Sequence, residues 1–236
     1  MGDIFYRTIK GLCRVPFVTS GRPVVMGVEQ VPRAGPLLMA SNHISWYDIP
    51  LLAVHSRRLL DFLAIYKLYE RPAAHWFFEN MNGIRYDSSK PDTRAVRAML
   101  TRLKRGRCVV IFPEGKLCRY EDSLFTGRPL YPGMARLALA AQAPVLPVVL
   151  ANTDVYRRFK AWLPVCGARY GMIFGAPIPP PARASAASLF SEVARFEEQY
   201  RAEMSALRAT LLAAMQVAGA STRFEPVGTD MEVKER

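Results

Sequence analysis

The chain has 236 residues, half of them apolar, with a mean hydropathy of +0.04 and a formal net charge of +12. That length suits one domain with its own hydrophobic core. No run approaches the roughly 20 apolar residues of a spanning helix, and Arg14 and Pro16 interrupt the only candidate signal-peptide stretch. No RNP, zinc-finger or aromatic-plus-basic module is present, so the positive excess suits anionic lipid surfaces or phosphorylated substrates better than nucleic acid, with plain solubility charge as the alternative.

Residues 1–20 place Phe5, Ile9, Leu12 and Pro16 at helical spacing among Arg7, Lys10 and Arg14. Such a segment suits a membrane interface, and equally an N-terminal helix packed on the domain. From residue 21 the pattern alternates. Strands are predicted at Val24–Val28, Leu37–Ala40, Leu59–Ala64, Ile84–Tyr86, Cys108–Phe112, Val145–Leu150 and Arg169–Phe174. A helix is predicted over Thr93–Lys104: Asp92 caps it, Val96, Met99, Leu100 and Leu103 form its apolar face, and Gly106 stops it. Strands rich in Val, Ile and Leu alternating with helices argue for an α/β domain with a mainly parallel central sheet flanked by helices. After Pro177–Pro181 comes a long C-terminal helix, whose stripe from Leu189 through Phe196 and Met204 to Met215 reads as core packing. Residues 21–218 thus form one domain, and 219–236, with few apolar residues, a flexible tail. Cys13, Cys108, Cys118 and Cys166 are far apart and read as reduced thiols.

Chemistry concentrates in two blocks. Ser41-Asn42-His43-Ile44-Ser45-Trp46-Tyr47-Asp48 follows an apolar strand, at the carboxyl edge where open α/β sheets bind ligands. His43 and Asp48 can meet across a tight strand-to-helix turn; the aspartate would accept one ring N–H and leave the other nitrogen as a base. That spacing alone also fits a surface histidine beside a helix-capping aspartate. His55 and His75 read as ordinary helix residues. With no Gly-x-Ser-x-Gly elbow, HExxH or Cys/His metal spacing in the chain, a base at His43 would act on a substrate hydroxyl. The second block, Val109-Val110-Ile111-Phe112-Pro113-Glu114-Gly115, is another strand ending at a carboxyl edge. Glu114 there could bind an acceptor hydroxyl, and Gly115 would let backbone approach a ligand closely. Lys116, Arg119 and Arg128 follow, as phosphate ligands or as a solvated loop.

Together, Asn42-His43-x-Ser45-x-x-Asp48 and Phe112-Pro113-Glu114-Gly115 resemble the glycerolipid acyltransferase family, whose best-known members are 1-acylglycerol-3-phosphate acyltransferases. Gly27-x-Glu29-x-x-Pro32 precedes the first block as that family's lead-in does. Tyr131-Pro132-Gly133 and Val145-Leu146-Pro147-Val148 match its last motif, so the resemblance covers about residues 24–180. It implies a glycerolphosphate-acyltransferase-like α/β fold. It further implies an enzyme whose His43, oriented by Asp48, deprotonates an acceptor hydroxyl that attacks an acyl thioester, acyl-CoA or acyl carrier protein, with no other cofactor and no metal.

By the same resemblance Glu114 and Gly115 bind the glycerol backbone, Pro147 shapes the acyl-donor side, and backbone N–H groups after His43 are candidate oxyanion donors. The acceptor implied first is a lysophospholipid, most often 1-acylglycerol 3-phosphate. The charge of +12 and the lack of a spanning run add an expected attachment to an anionic membrane surface at its cytoplasmic face, peripheral or monotopic. Rivals are a glycerol-3-phosphate or other lysolipid acyltransferase, a lipid hydrolase, and a non-catalytic membrane-binding protein. Two departures stand out. The family's second motif usually ends in Asp-Arg where this chain has Asp87-Ser88, and the arginine common two residues after the third motif's glycine is Leu117 here. Lys116, Arg119 and Arg85 are the candidates to replace those cations.

Overall fold

The computed structural model describes residues 2–118, 123–131, 133–157, 169–180 and 189–218. Among these residues seven strands form one sheet: β1 (Val24–Met26), β2 (Leu37–Ser41), β3 (Leu60–Ile65), β4 (Gly83–Tyr86), β5 (Cys108–Ile111), β6 (Val145–Ala151) and β7 (Gly171–Phe174). Each coincides with a predicted run to within two residues at either end. Their spatial order is β1-β7-β6-β2-β5-β3-β4. Every pairing is parallel except β6 with β7. The parallel centre explains the near-continuous apolar character of β2, β5 and β6, whose residues are all buried.

Helices cover both faces. On one, α1 (Gly2–Thr19), α2 (Asp48–His55) and α3 (Pro72–Asn80) meet Leu37, Met39, Val110, Leu146 and Val148. On the other, α4 (Thr93–Lys104), α5 (Met134–Ala141) and α6 (Leu189–Val217) meet Leu38, Ala40, Val109, Val145 and Val149. The period of two along each strand therefore divides its side chains between two cores.

The Asp92 carboxylate caps α4 as predicted, accepting the N–H groups of Arg94 and Ala95. The predicted face needs one correction. Ala95, Met99 and Leu103 are buried, whereas Val96 is exposed, one step around the helix from that row. In α6 the stripe is buried at Val193, Phe196, Tyr200, Met204, Leu211 and Met215.

The first helix also differs from its expected face. It inserts Tyr6 and Phe17 into the core, while Leu12 is exposed. It packs against α2 and α3 and runs through Pro16. Cys13, Cys108 and Cys118 form no disulfide among the described residues; Cys166 and the expected tail at 219–236 lie outside them.

Candidate active site

The sheet order builds this site. β2 and β5 are parallel neighbours with Ala40 opposite Ile111, so the segments leaving their carboxyl ends emerge side by side. One runs to α2 on the first face and the other leads on to α5 on the second. The crevice outside two such diverging strand ends is where open α/β sheets bind ligands. His43 enters it just past β2, and Phe112 to Gly115 enter just past β5. On the other flank of β2, where Ser41 lies opposite Val148, β6 contributes the turn that holds Thr153.

Asp48 opens α2 and is fully buried. Its Oδ2 accepts a hydrogen bond from His43 Nδ1 at 2.8 Å and from the backbone N–H groups of Ile44 (2.7 Å) and Ser45 (2.9 Å). Its Oδ1 accepts the hydroxyl of Thr153. An oxygen that already receives two backbone N–H donors is an acceptor toward the ring as well, so Nδ1 carries the proton. That leaves a lone pair on Nε2, which no protein atom among the described residues engages. The imidazole also stacks on Phe112, with centroids 3.8 Å apart and planes 10° from parallel. One nitrogen is bonded and one face is covered, which orients the ring, and the side chain keeps 15% of its surface exposed.

The turn carrying His43 is clamped from both sides. Its N–H donates to Glu114 Oε2 at 2.8 Å, and its carbonyl accepts the N–H of Cys118 at 2.7 Å. The other Glu114 oxygen accepts the N–H of Leu124 at 2.8 Å. Asn42 pairs with both backbone groups of Leu150, donating to its carbonyl at 3.0 Å and accepting its N–H at 2.8 Å, which ties the end of β2 to β6. Burial pushes the Glu114 carboxyl above its usual range, opposed by the two N–H donors and by the neighbouring His43 and Arg128 side chains. Both oxygens of Glu114 thus serve backbone amides, the arrangement of a brace rather than of an open acceptor contact. Gly115 has φ of 71°, and a Cβ there would lie 2.8 Å from Cδ2 of Tyr131. Its close approach is to that ring.

The remaining candidates are scattered. Lys116 is exposed beside the crevice. Arg85 is exposed on β4, three strands from β2, which at about 4.8 Å per strand is roughly 14 Å away. Pro147 is buried in β6, its ring near Gly175 and Leu207 on the α6 side of the sheet. Arg119 and Pro132 lie outside the described residues. The amides after His43 also differ from expectation. Those of Ile44 and Ser45 bind Asp48, that of Tyr47 binds Ser45 Oγ, and that of Asp48 binds the Ser45 carbonyl. Oxyanion donors cannot come from these four. Among the described residues, no group of three or more His, Cys, Asp or Glu side chains is placed to hold a metal.

Sequence reasoning missed Thr153 and the structural uses of Asn42 and Phe112. A signal for Thr153 exists: the polar pair Asn152-Thr153 ends the apolar run of β6, at a carboxyl edge adjoining β2.

The family described as Acyltransferase matches residues 22–151. This chain belongs to the acyltransferase family. Its matched region holds His43, Asp48, Glu114 and Gly115, and ends just before Thr153. Among curated family relatives, it is 34% identical over 131 residues to a lyso-ornithine lipid O-acyltransferase of Pseudomonas aeruginosa, covering 55% of this chain and 46% of the relative. It is 28% identical over 142 residues to a 1-acyl-sn-glycerol-3-phosphate acyltransferase of Borreliella burgdorferi, covering 56% and 52%. The chain thus spans about half the length of the curated relatives it matches. Its fold resembles the crystal structure of the 1-acyl-sn-glycerophosphate acyltransferase PlsC of Thermotoga maritima, with a TM-score of 0.66 at 23% identity, over 88% of this chain and 81% of that one.

Proposed function

We propose that the protein transfers a fatty acyl group from an acyl thioester to the hydroxyl of a lysolipid, with His43 as general base. The observation that carries this reading is the His43–Asp48 pair: Nδ1 is held at 2.8 Å and Nε2 is left unengaged by the described residues at a strand-end crevice. The acceptor O–H gives its proton to Nε2 while its oxygen bonds to the thioester carbonyl carbon. The tetrahedral adduct then expels the thiolate, which takes the proton back from the imidazolium. Asp48 stabilises that imidazolium between the two steps, and no acyl-enzyme forms. A base so placed contributes about 10²–10⁴ in rate.

A lysophospholipid acceptor, foremost 1-acylglycerol 3-phosphate, is supported by Lys116 at the crevice and by Arg128, whose charge reaches Glu114. A second reading, an acceptor without phosphate such as a lyso-ornithine lipid, is favoured by Ser88 and Leu117 and by the similarity to the Pseudomonas enzyme. We place the reaction at the cytoplasmic face of a membrane, with peripheral or monotopic attachment. Supporting this are the net charge of +12 and the exposed apolar residues Ile4, Leu12, Val15 and Val18 of α1. No helix among the described residues is long and apolar enough to cross a membrane.

The test offers purified protein one labelled acyl thioester with lysophosphatidic acid, lyso-ornithine lipid or no acceptor, beside His43→Ala. Acylated lipid from the wild type and a loss of at least a hundredfold in the variant are expected. Free fatty acid formed at one rate with or without acceptor would make the protein a hydrolase. A folded variant of near-normal activity would remove His43 from the mechanism.

A further inference from the structure

A dense concentration of positive charge lies outside the catalytic crevice. Between α1 and the segments that enter β2, β3 and β5 is an open hollow of about 500 Å³, at the amino edge of those strands and opposite the edge that carries His43. Two arginines of this hollow are part of the fold. Arg58 donates to the carbonyls of Gly35 and Gly106, and Arg107 donates twice to the buried carboxylate of Asp61. Arg7, Arg14, Arg33 and Arg57 differ: they are exposed and have no ion-pair partner among the described residues.

The effect of this excess is visible on neighbouring groups. Lys10 donates to the carbonyl of Ser56, and its pKa is lowered by burial and then by Arg14 and Arg7. His55, in an adjoining hollow that shares Lys10, Arg14 and Arg57, is pushed down to about 4 by burial, Arg14 and Lys10. Positive charge this concentrated, in a concave site, is complementary to a phosphate.

The helix that walls the hollow indicates the source of that phosphate. Arg7, Lys10 and Arg14 recur at intervals of three and four, so they share one strip of α1. On one side of the strip are the buried Tyr6 and Phe17. On the other are Ile4, Val15 and Val18, with Leu12 beyond, all exposed. An exposed apolar strip bordered by a cationic one is the layout of a helix lying in a bilayer interface, apolar side among the acyl chains and cations at the phosphate level.

We propose that the hollow beside α1 binds the phosphate-bearing headgroup of an anionic phospholipid, as an attachment site separate from the acceptor crevice. This rests on the reading of the chain as membrane-attached and names the side chains, Arg7, Arg14, Arg33 and Arg57, that hold the lipid.

Vesicle co-sedimentation of the full chain tests it, using phosphatidylcholine vesicles with and without phosphatidylglycerol. The wild type is compared with Arg14→Gln/Arg57→Gln and with a control of equal charge loss, Arg94→Gln/Arg97→Gln, on the exposed side of α4. Inorganic pyrophosphate at fixed ionic strength serves as competitor. The hollow variant should bind anionic vesicles roughly ten- to thirtyfold more weakly. It should bind neutral vesicles like the wild type, and pyrophosphate should displace the wild type from anionic vesicles. The control should lose less than threefold.

Equal losses in the two variants would reduce the effect to net charge and overturn the site. So would a hollow variant that binds anionic vesicles normally. If that same variant had lost pyrophosphate binding, the hollow would be a site for soluble phosphate compounds. A wild type that binds neither vesicle would instead refute membrane attachment itself, and the headgroup site with it.

Discussion

Asp48→Asn separates the two services that Asp48 renders to His43, orientation and charge. Asp48 Oδ2 accepts three N–H donors, and Oδ1 accepts the Thr153 hydroxyl. An asparagine that turns its oxygen toward the Oδ2 position keeps all three. Its NH₂ then faces Thr153, whose hydroxyl can rotate and accept. The fold and the Nδ1–H tautomer should therefore survive, and only the negative charge is lost. For unit charges about 4 Å apart at an effective dielectric of about 20, that charge is worth about 4 kcal/mol to an imidazolium, or about a thousandfold in rate. The assay is the initial rate of thiol release from an acyl thioester in the presence of acceptor, with thermal melting followed by circular dichroism. A thousandfold fall in kcat with Tm within a few degrees of wild type is expected. Asp48→Ala should differ by also leaving two buried backbone donors unpaired, at about 1–3 kcal/mol each. A folded Asp48→Asn within tenfold of wild type would show that the imidazolium is not formed in the slow step, and the general-base reading would fall.

Other outcomes follow from the same bonds. Glu114→Gln keeps one amide acceptor but turns an NH₂ toward either His43 or Leu124; a loss of about 1–3 kcal/mol in urea unfolding is expected, together with reduced kcat. Unchanged stability would mean that Glu114 is not a brace. Gly115→Ala imposes a left-handed φ on alanine and pushes a methyl group toward the Tyr131 ring. This should cost about 1–2 kcal/mol, read as a Tm drop of a few degrees. His55 has a folded pKa of about 4 against an ordinary 6.5, so unfolding takes up a proton in that interval. Stability is unaffected above pH 6.5 and should be lost as pH falls toward 4, by up to about 3 kcal/mol. His55→Gln should flatten this part of the Tm–pH curve, and an unchanged slope would assign it to other groups.

Much of this protein is legible along the chain because its signals are local. A strand buried on both faces must be apolar throughout, so β2, β5 and β6 announce themselves, and with them the parallel α/β layering. His43 and Asp48 are five apart across one turn, so their meeting is also a local matter. Only the tertiary structure decided what depends on strand order. That β5 lies beside β2, though β3 and β4 intervene in the chain, is what sets Phe112 against the His43 ring and Glu114 against its amide. That β6 lies on the other flank brings Thr153 to Asp48 across a separation of 105 residues. The same order leaves Arg85 three strands away on β4. Sequence spacing fixes which residues leave a strand at its carboxyl edge, because the side-chain period is two and the chain is continuous. It carries no information on which strand ends are neighbours, because hydrogen bonds between backbones are indifferent to the side chains that follow.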